Sequence, residues 1–267
     1  MDWSKIKTIF IISFLILDIY LAYQFINTRS EAKNYEFYKE VSLEEKLKND
    51  DIDIEFSTPS DTIMKERYVS VRPKIFVKDE LLSNQTQQLG LGDGAVLRGK
   101  LDKPIELNEK FNPEEFTAAV MNDVQSGEEY RFWKKDDEEN TITYFQQYKG
   151  KPIYHNLNGK LTFFINDQNE VTSYEQSYLE PTEELMEEEE VITPMEAIET
   201  LYKKGLLSPK SKITKAELGY STLVQLTASQ VLAPTWRILV NGEGNLFVHA
   251  FEGQVIQLNS EESEVTE

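Results

Sequence analysis

Residues 8–26, TIFIISFLILDIYLAYQFI, are almost continuously apolar, whereas beyond residue 50 apolar and polar positions alternate. Nineteen residues make a helix of roughly 28 Å at about 1.5 Å per residue, close to the roughly 30 Å hydrocarbon thickness of a bilayer. This predicts a transmembrane helix over 8–26. Lys5 and Lys7 just before it place residues 1–7 in the cytoplasm and the rest outside the membrane. A cleaved signal peptide is the competing reading. The run is long for its apolar region, and LAYQFINTR lacks a small-x-small cleavage site.

Farther along, alternation in DIDIEF (51–56), YVSVRPKIF (68–76) and AVLRGKL (95–101) predicts strands. Ser42 and Glu45 fit a capping box before a short helix over 43–48. Two stronger start signals follow. Asn112-Pro113 with two acids opens one helix, and Thr193-Pro194-Met195-Glu196 opens another that Gly205 ends. Each helix leads into a run of alternating segments: EEYRFW, TITYFQQY, NGKLTFFI and EVTSYEQSYL after the first, ITKAELGYSTLVQL, PTWRILV, GNLFVHAF and GQVIQL after the second. The repeated order predicts an α+β fold, a transmembrane helix followed by two helix-plus-antiparallel-sheet units. The domains expected are 27–179 and 194–259. An acidic linker over 180–193 separates them, and an acidic tail spans 260–267.

Charge narrows the partners. The chain carries 28 basic and 47 acidic residues; residues 1–29 contribute +1, leaving −20 on the remainder. Nucleic acid and anionic lipid headgroups repel such a surface. The glutamates of EPTEELMEEEEVITP (180–194) repel one another and read as a solvated linker or helix surface, without the Asx-Gly spacing of a calcium loop. There is no cysteine, hence no thiol chemistry and no cysteine metal site, and an exported domain without disulfides fits a bacterial envelope. His155 and His249 lie in or beside strands, in no triad or zinc context, and read as partly buried structural histidines. The sequence nominates no catalytic, cofactor-binding or metal-ligating residue and points away from an enzyme.

The opening MDWSKIKTIFIISFLILDIYLAYQF and the closing PTWRILVNGEGNLFVHAFEGQVI are where the chain resembles the YycI (WalI) family. Helix-then-sheet units ending in FEGQVI also resemble PepSY-type domains, which implies as an alternative an anchored extracytoplasmic module that binds a ligand or a protease. The YycI resemblance implies a single-pass regulator of Gram-positive bacteria. With a YycH-type partner, it would control a two-component sensor histidine kinase of the YycG/WalK type that governs cell-wall metabolism. No cofactor and no catalytic residue come with it.

Against that background Asp18, a charge inside an apolar run, becomes the candidate contact within the membrane. At 100° per residue it shares a helix side with Ile11, Phe14, Ala22 and Phe25, and small Ala22 beside a polar group suits a helix–helix contact in lipid. Ser13, Tyr20 and Gln24 fall on another side and supply a second candidate contact. The alternative is that Asp18 reaches the outer interface by tilt or sits in the bilayer protonated.

Overall fold

The structure is a computed structural model. It describes residue 3, residues 14, 15, 17, 18, 20–22 and 24, and residues 42–56, 63–76, 85–89, 95–108, 110–225 and 229–258. The chain divides into two compact units, Met1–Asp50 and Asp51–Glu267.

In the first unit, helix α1 (Leu43–Asn49) begins where the Ser42 side chain accepts the Glu45 amide at 3.3 Å. Glu44 and Glu45 lie in its first turn and Lys46 and Lys48 in its last, each sign matching the helix dipole. Phe14, Leu15, Leu17, Asp18, Tyr20, Leu21, Ala22 and Gln24 are helical and exposed. Among the described residues, no helix is long and apolar enough to cross a membrane. That finding corrects the helix expected over 8–26. A span needs about 20 consecutive apolar helical residues; residues 8–13, 16, 19, 23, 25 and 26 of the expected helix lie outside the described residues.

In the second unit, alternation does become strand. β1 (Asp53–Ile54), β2 (Lys65–Pro73), β3 (Gln85–Leu89) and β4 (Ala95–Glu106) come first. Helix α2 (Pro113–Val120) precedes β5 (Tyr130–Asp136), β6 (Thr141–Tyr148), β7 (Lys151–Tyr154), β8 (Lys160–Ile165), β9 (Glu170–Gln176) and β10 (Leu179–Glu190). Helix α3 (Pro194–Lys203) precedes β11 (Lys212–Gln225), β12 (Gln230–Val240), β13 (Gly244–His249) and β14 (Val255–Ile256).

Both helices start as their sequences direct. Asn112 Oδ1 accepts the Glu114 amide at 3.0 Å and the Glu115 amide at 3.5 Å. Thr193 Oγ1 accepts the Glu196 amide at 3.2 Å while Glu196 Oε2 accepts the Thr193 amide at 2.7 Å, a complete capping box. Past the end of α3, Gly205 takes φ +68° and its amide donates to the Tyr202 carbonyl.

All the strands join one mixed sheet. Its main path runs β10-β2-β12-β11-β7-β6-β8-β9-β4-β3, with β5 on β6, β13 on β12, β14 on β13 and β1 on β11. β11 meets β1 and β7 in parallel; the other pairs are antiparallel. The fold is therefore a large, mainly β, mixed sheet, and the expected α+β layout with a transmembrane helix is corrected.

The meanders β5-β6-β8-β9 and β11-β12-β13-β14 do follow helices, but they are not separate domains. The short strand β7 stitches them together. It pairs with the end of β6 (Tyr148↔Lys151) and, on its other edge, with β11 (Ile153↔Tyr220, Tyr154↔Ser221). Gly219 permits that approach, because a Cβ there would collide with the Pro152 carbonyl and the Tyr154 ring. The boundary expected between 27–179 and 194–259 thus falls inside one unit.

The larger core lies under α2. Phe116 meets Phe163 edge-on at 5.3 Å, and Tyr144 meets Phe163 at 5.7 Å, geometries that aromatic quadrupoles favour. Val120, Leu161, Val171 and Tyr174 complete its buried centre. A smaller cluster, Val69, Val71, Ile153, Leu179, Tyr220 and Leu232, lies where β2, β7, β11 and β12 come together.

Candidate binding cleft beside the acidic edge strand

The acidic segment expected as a linker is strand β10, LEPTEELMEEEE. Repulsion among its glutamates is relieved by bases on the neighbouring strand and the turn beside it. Arg67 on β2 reaches Glu184 at 2.8 Å and Glu188 at 2.7 Å; Arg72 reaches Glu180 at 3.0 Å. Thr182 Oγ1 donates to the Ser70 carbonyl at 3.1 Å, and the buried Leu179 anchors the strand's start. The pairing then breaks register between Leu185 and Glu189, where Met186 takes φ +64° and stands 70 % exposed. Such an irregularity spoils an edge as a template for random strand addition. Among the described residues, β10 ends the strand order, and Glu183, Glu187, Glu189 and Glu190 are exposed with no side-chain hydrogen bond or ion pair.

Next to the start of β10 stands the β6–β7 hairpin. Lys149 (φ +49°) and Gly150 (φ +76°) form its two-residue turn, both in the left-handed region that a tight hairpin needs. The turn carries Lys149 onto Glu184, which also accepts the Tyr148 hydroxyl at 2.9 Å. Contact with Lys149 and then Tyr148 holds the Glu184 carboxyl below its ordinary value, and Glu184 raises Lys149 in return. On the other strand, Glu66 accepts Lys151 at 2.8 Å and the Tyr220 hydroxyl at 2.8 Å, tying β7 to β2 and β11.

Between hairpin and edge strand lies a cleft of about 360 Å³. Val71, Ile153 and Leu179 supply buried apolar surface to it, and Tyr148 and Pro181 flank them. Gln146 fixes its inner end: the amide donates to the Leu179 carbonyl at 2.9 Å and accepts the Leu179 amide at 2.8 Å. Glu128, Glu129 and Gln147 add polar groups to the lining. Glu129 Oε2 accepts the Tyr178 hydroxyl at 2.7 Å; burial first, then this carboxylate, raise the Tyr178 hydroxyl above its ordinary range.

The histidines lie elsewhere. His155 packs on Trp133 (5.0 Å), Phe145 and Phe247, and is pushed down to about 4 by burial first and then by Arg237, Lys134 and Lys160. Arg237 in turn stacks over Trp133 at 4.3 Å. The buried His249 accepts the Phe251 and Glu252 amides on Nδ1 at 3.3 and 3.2 Å. Among the described residues, no group of three His, Asp or Glu side chains is placed to hold a metal ion.

Of the candidate contact residues named from sequence, Phe14, Asp18, Tyr20, Ala22 and Gln24 are helical and exposed within the first unit. Ile11, Ser13 and Phe25 lie outside the described residues. Among the described residues, none of these lines the cleft. Sequence reasoning missed β7 and the cleft, although Tyr148-Lys149-Gly150-Lys151, a glycine-bearing pair between strand residues, is a hairpin signal.

The sequence profile of the YycI protein family matches residues 32–251. No curated protein matches the chain. Among solved structures, an uncharacterized protein from Eubacterium rectale is similar with TM-score 0.48 and 11 % identity, over 79 % of this chain and 92 % of that one. The C-terminal domain of Bacillus megaterium YpeB is similar with TM-score 0.39 and 11 % identity, over 69 % and 86 %. Neither structural likeness bears on function.

Proposed function

The chain belongs to the YycI family, and from that premise we propose that it is a non-catalytic accessory regulator of a sensor histidine kinase of the YycG/WalK type, acting with a YycH-type partner. In this reading the unit Asp51–Glu267 lies outside the cytoplasmic membrane and docks on its partners. It biases the kinase by binding one signalling state more tightly than the other, since equal binding shifts nothing.

One observation supports docking most: among the described residues the sheet ends in a strand with four exposed carboxylates that make no side-chain hydrogen bond or ion pair, next to a cleft. Edge strands and adjoining pockets are a recurrent means of holding another polypeptide. The test is in-cell crosslinking of the tagged intact chain in its native bacterium, followed by purification and mass spectrometry. Capture of a sensor kinase and a second accessory protein is expected. A chain that crosslinks to neither, at native abundance, contradicts the reading.

A further inference from the structure

The turn from β13 to β14 is closed around a side chain that cannot take up a proton without opening it. His249, the last residue of β13, is 3 % exposed. Its Nδ1 accepts two backbone amides, that of Phe251 at 3.3 Å and that of Glu252 at 3.2 Å. Two N–H groups aimed at one ring nitrogen require that nitrogen to be bare, so the proton of the neutral imidazole sits on Nε2. That Nε2–H is itself buried, with no hydrogen-bond partner among the described residues. The main chain closes the same turn: the His249 amide donates to the Gln254 carbonyl at 2.7 Å, and the Gly253 amide to the His249 carbonyl at 2.9 Å. Within it, the Ala250 amide donates to the Pro234 carbonyl and the Ala250 carbonyl accepts the Ile192 amide, each at 2.8 Å. Ile192 follows closely on Glu190, the last residue of β10, and its own carbonyl accepts the Trp236 indole at 2.9 Å. The turn thus fastens the chain where it leaves the acidic edge strand.

From this we infer that His249 is a proton-operated latch: a proton added at Nδ1 expels both amides, opens the 249–253 turn and loosens the junction that leads out of β10. A protonated ring would set N–H against N–H at Nδ1 and leave a buried charge. The groups that face it do not compensate. Glu252, in the turn, is exposed and favours the charged ring, yet burial outweighs it and holds the imidazole below its ordinary 6.5. Tyr68 on β2 is raised above its ordinary range by burial first, then by Glu252 and by Glu189 on β10, and stays neutral. The Tyr68 and Phe251 rings, 6.2 and 6.1 Å from the imidazole and tilted, lie at the limit of the about 6 Å reach of a cation–π contact. β12 contributes the uncharged Thr235 opposite His249, and α3 the uncharged Thr200 beside Gly253. Because the closed ring has the lower pKa, the open turn binds protons more readily and gains as pH falls below 6.5. The latch stands on the fold alone; its consequence, that acid weakens docking at β10, rests on the proposed function.

The test is NMR on the isotope-labelled full chain from about pH 8 to about pH 5, a range in which His155, held at about 4, stays mostly neutral. Ring-nitrogen shifts locate the His249 proton, and amide protection factors report opening. At the upper limit the Nε2–H tautomer is expected. Below about pH 6.5, protection of the Phe251, Glu252 and Ile192 amides should fall together, by up to about tenfold per pH unit, while amides of β8 keep theirs. His249→Asn offers an amide oxygen in place of Nδ1 and takes up no proton, so its turn should stay protected throughout. Glu252→Gln removes the charge that favours the protonated ring and should move the opening to lower pH. Protection that does not fall with pH, that falls equally in His249→Asn, or an Nδ1–H tautomer at the upper limit overturns the inference. The measurement needs no partner. Unchanged protection in a chain that still crosslinks to a kinase removes the latch and leaves the regulatory reading; a titrating turn in a chain that crosslinks to nothing keeps the latch and removes that reading.

Discussion

The two ends of the sheet are finished differently. Under α2, aromatic rings close a large core, and its polar atoms are turned inward to fixed partners: the Tyr174 hydroxyl donates to the Asp123 carbonyl at 2.7 Å, and the Tyr144 hydroxyl meets Thr117 at 2.8 Å. Around β2, β7, β11 and β12 the apolar cluster is smaller and polar side chains lie close by. Ser221 meets Thr235 at 2.7 Å, and Asn156 donates to Gln230 at 2.6 Å and to Thr222 at 2.7 Å. Yet both ends use one device, a tyrosine ring laid over a strand glycine: Tyr174 on Gly99 and Tyr154 on Gly219. The difference is therefore not in how strands are joined but in what is left over. One end puts its side chains into closure, and the other leaves carboxylates and a cleft facing outward.

The comparison breaks most visibly in the aromatic core. Phe163→Ala should cost about 3–5 kcal/mol, because a fully buried ring leaves a cavity its neighbours fill only in part. Urea denaturation measures it, and a loss below about 1 kcal/mol would mean the core is not closed as described. Next, Gly219→Ala should cost about 1–3 kcal/mol by pushing β7 off β11.

His155 gives the pH arm. Its folded value is about 4 against an ordinary 6.5, so between these the unfolded chain binds more protons and stability falls as pH is lowered. The side chain is only partly buried, so a change of about 1–2 kcal/mol across that window is expected. His155→Gln should flatten that part of the stability–pH curve; an unaltered curve would show that another group carries it. Thr193→Ala should then cost about 1 kcal/mol by removing the α3 cap, with Thr193→Ser restoring most of it.

The smallest effect on folding sharpens the comparison most. Lys149→Met should leave the melting temperature nearly unchanged, because the residue is exposed. Arg67 and the Tyr148 hydroxyl still hold Glu184 in that variant, so the hairpin should stay beside the edge strand. A clearly lowered melting temperature would show that the Lys149 contact with Glu184 holds the hairpin in place.

Local chemistry was legible in the sequence, and long-range pairing was not. Asn112-Pro113, the Thr193/Glu196 box and Gly205 marked both helix starts and one stop because capping is settled within four residues. The acidic run was misread because its neutralising partners, Arg67 and Arg72, lie 121 and 108 residues away. The single sheet was hidden for a similar reason: four residues of β7 join the two meanders, and its parallel pairing with β11 has no local signature. The cleft needed all three segments in place, so no contiguous motif announces it. Continuous apolarity over 8–26 predicted a membrane helix because length and hydropathy alone make that argument.

The central claim is that partners dock at the acidic edge of the sheet and not at the closed end. Crosslinking in the native bacterium tests it with two variants of equal charge change. Glu187→Lys with Glu190→Lys alters the edge strand; Glu138→Lys with Glu139→Lys alters the exposed β5–β6 turn at the other end. With melting temperatures matched, kinase-system partners should be lost from the first variant and retained by the second. Equal retention, or loss only from the turn variant, contradicts the account.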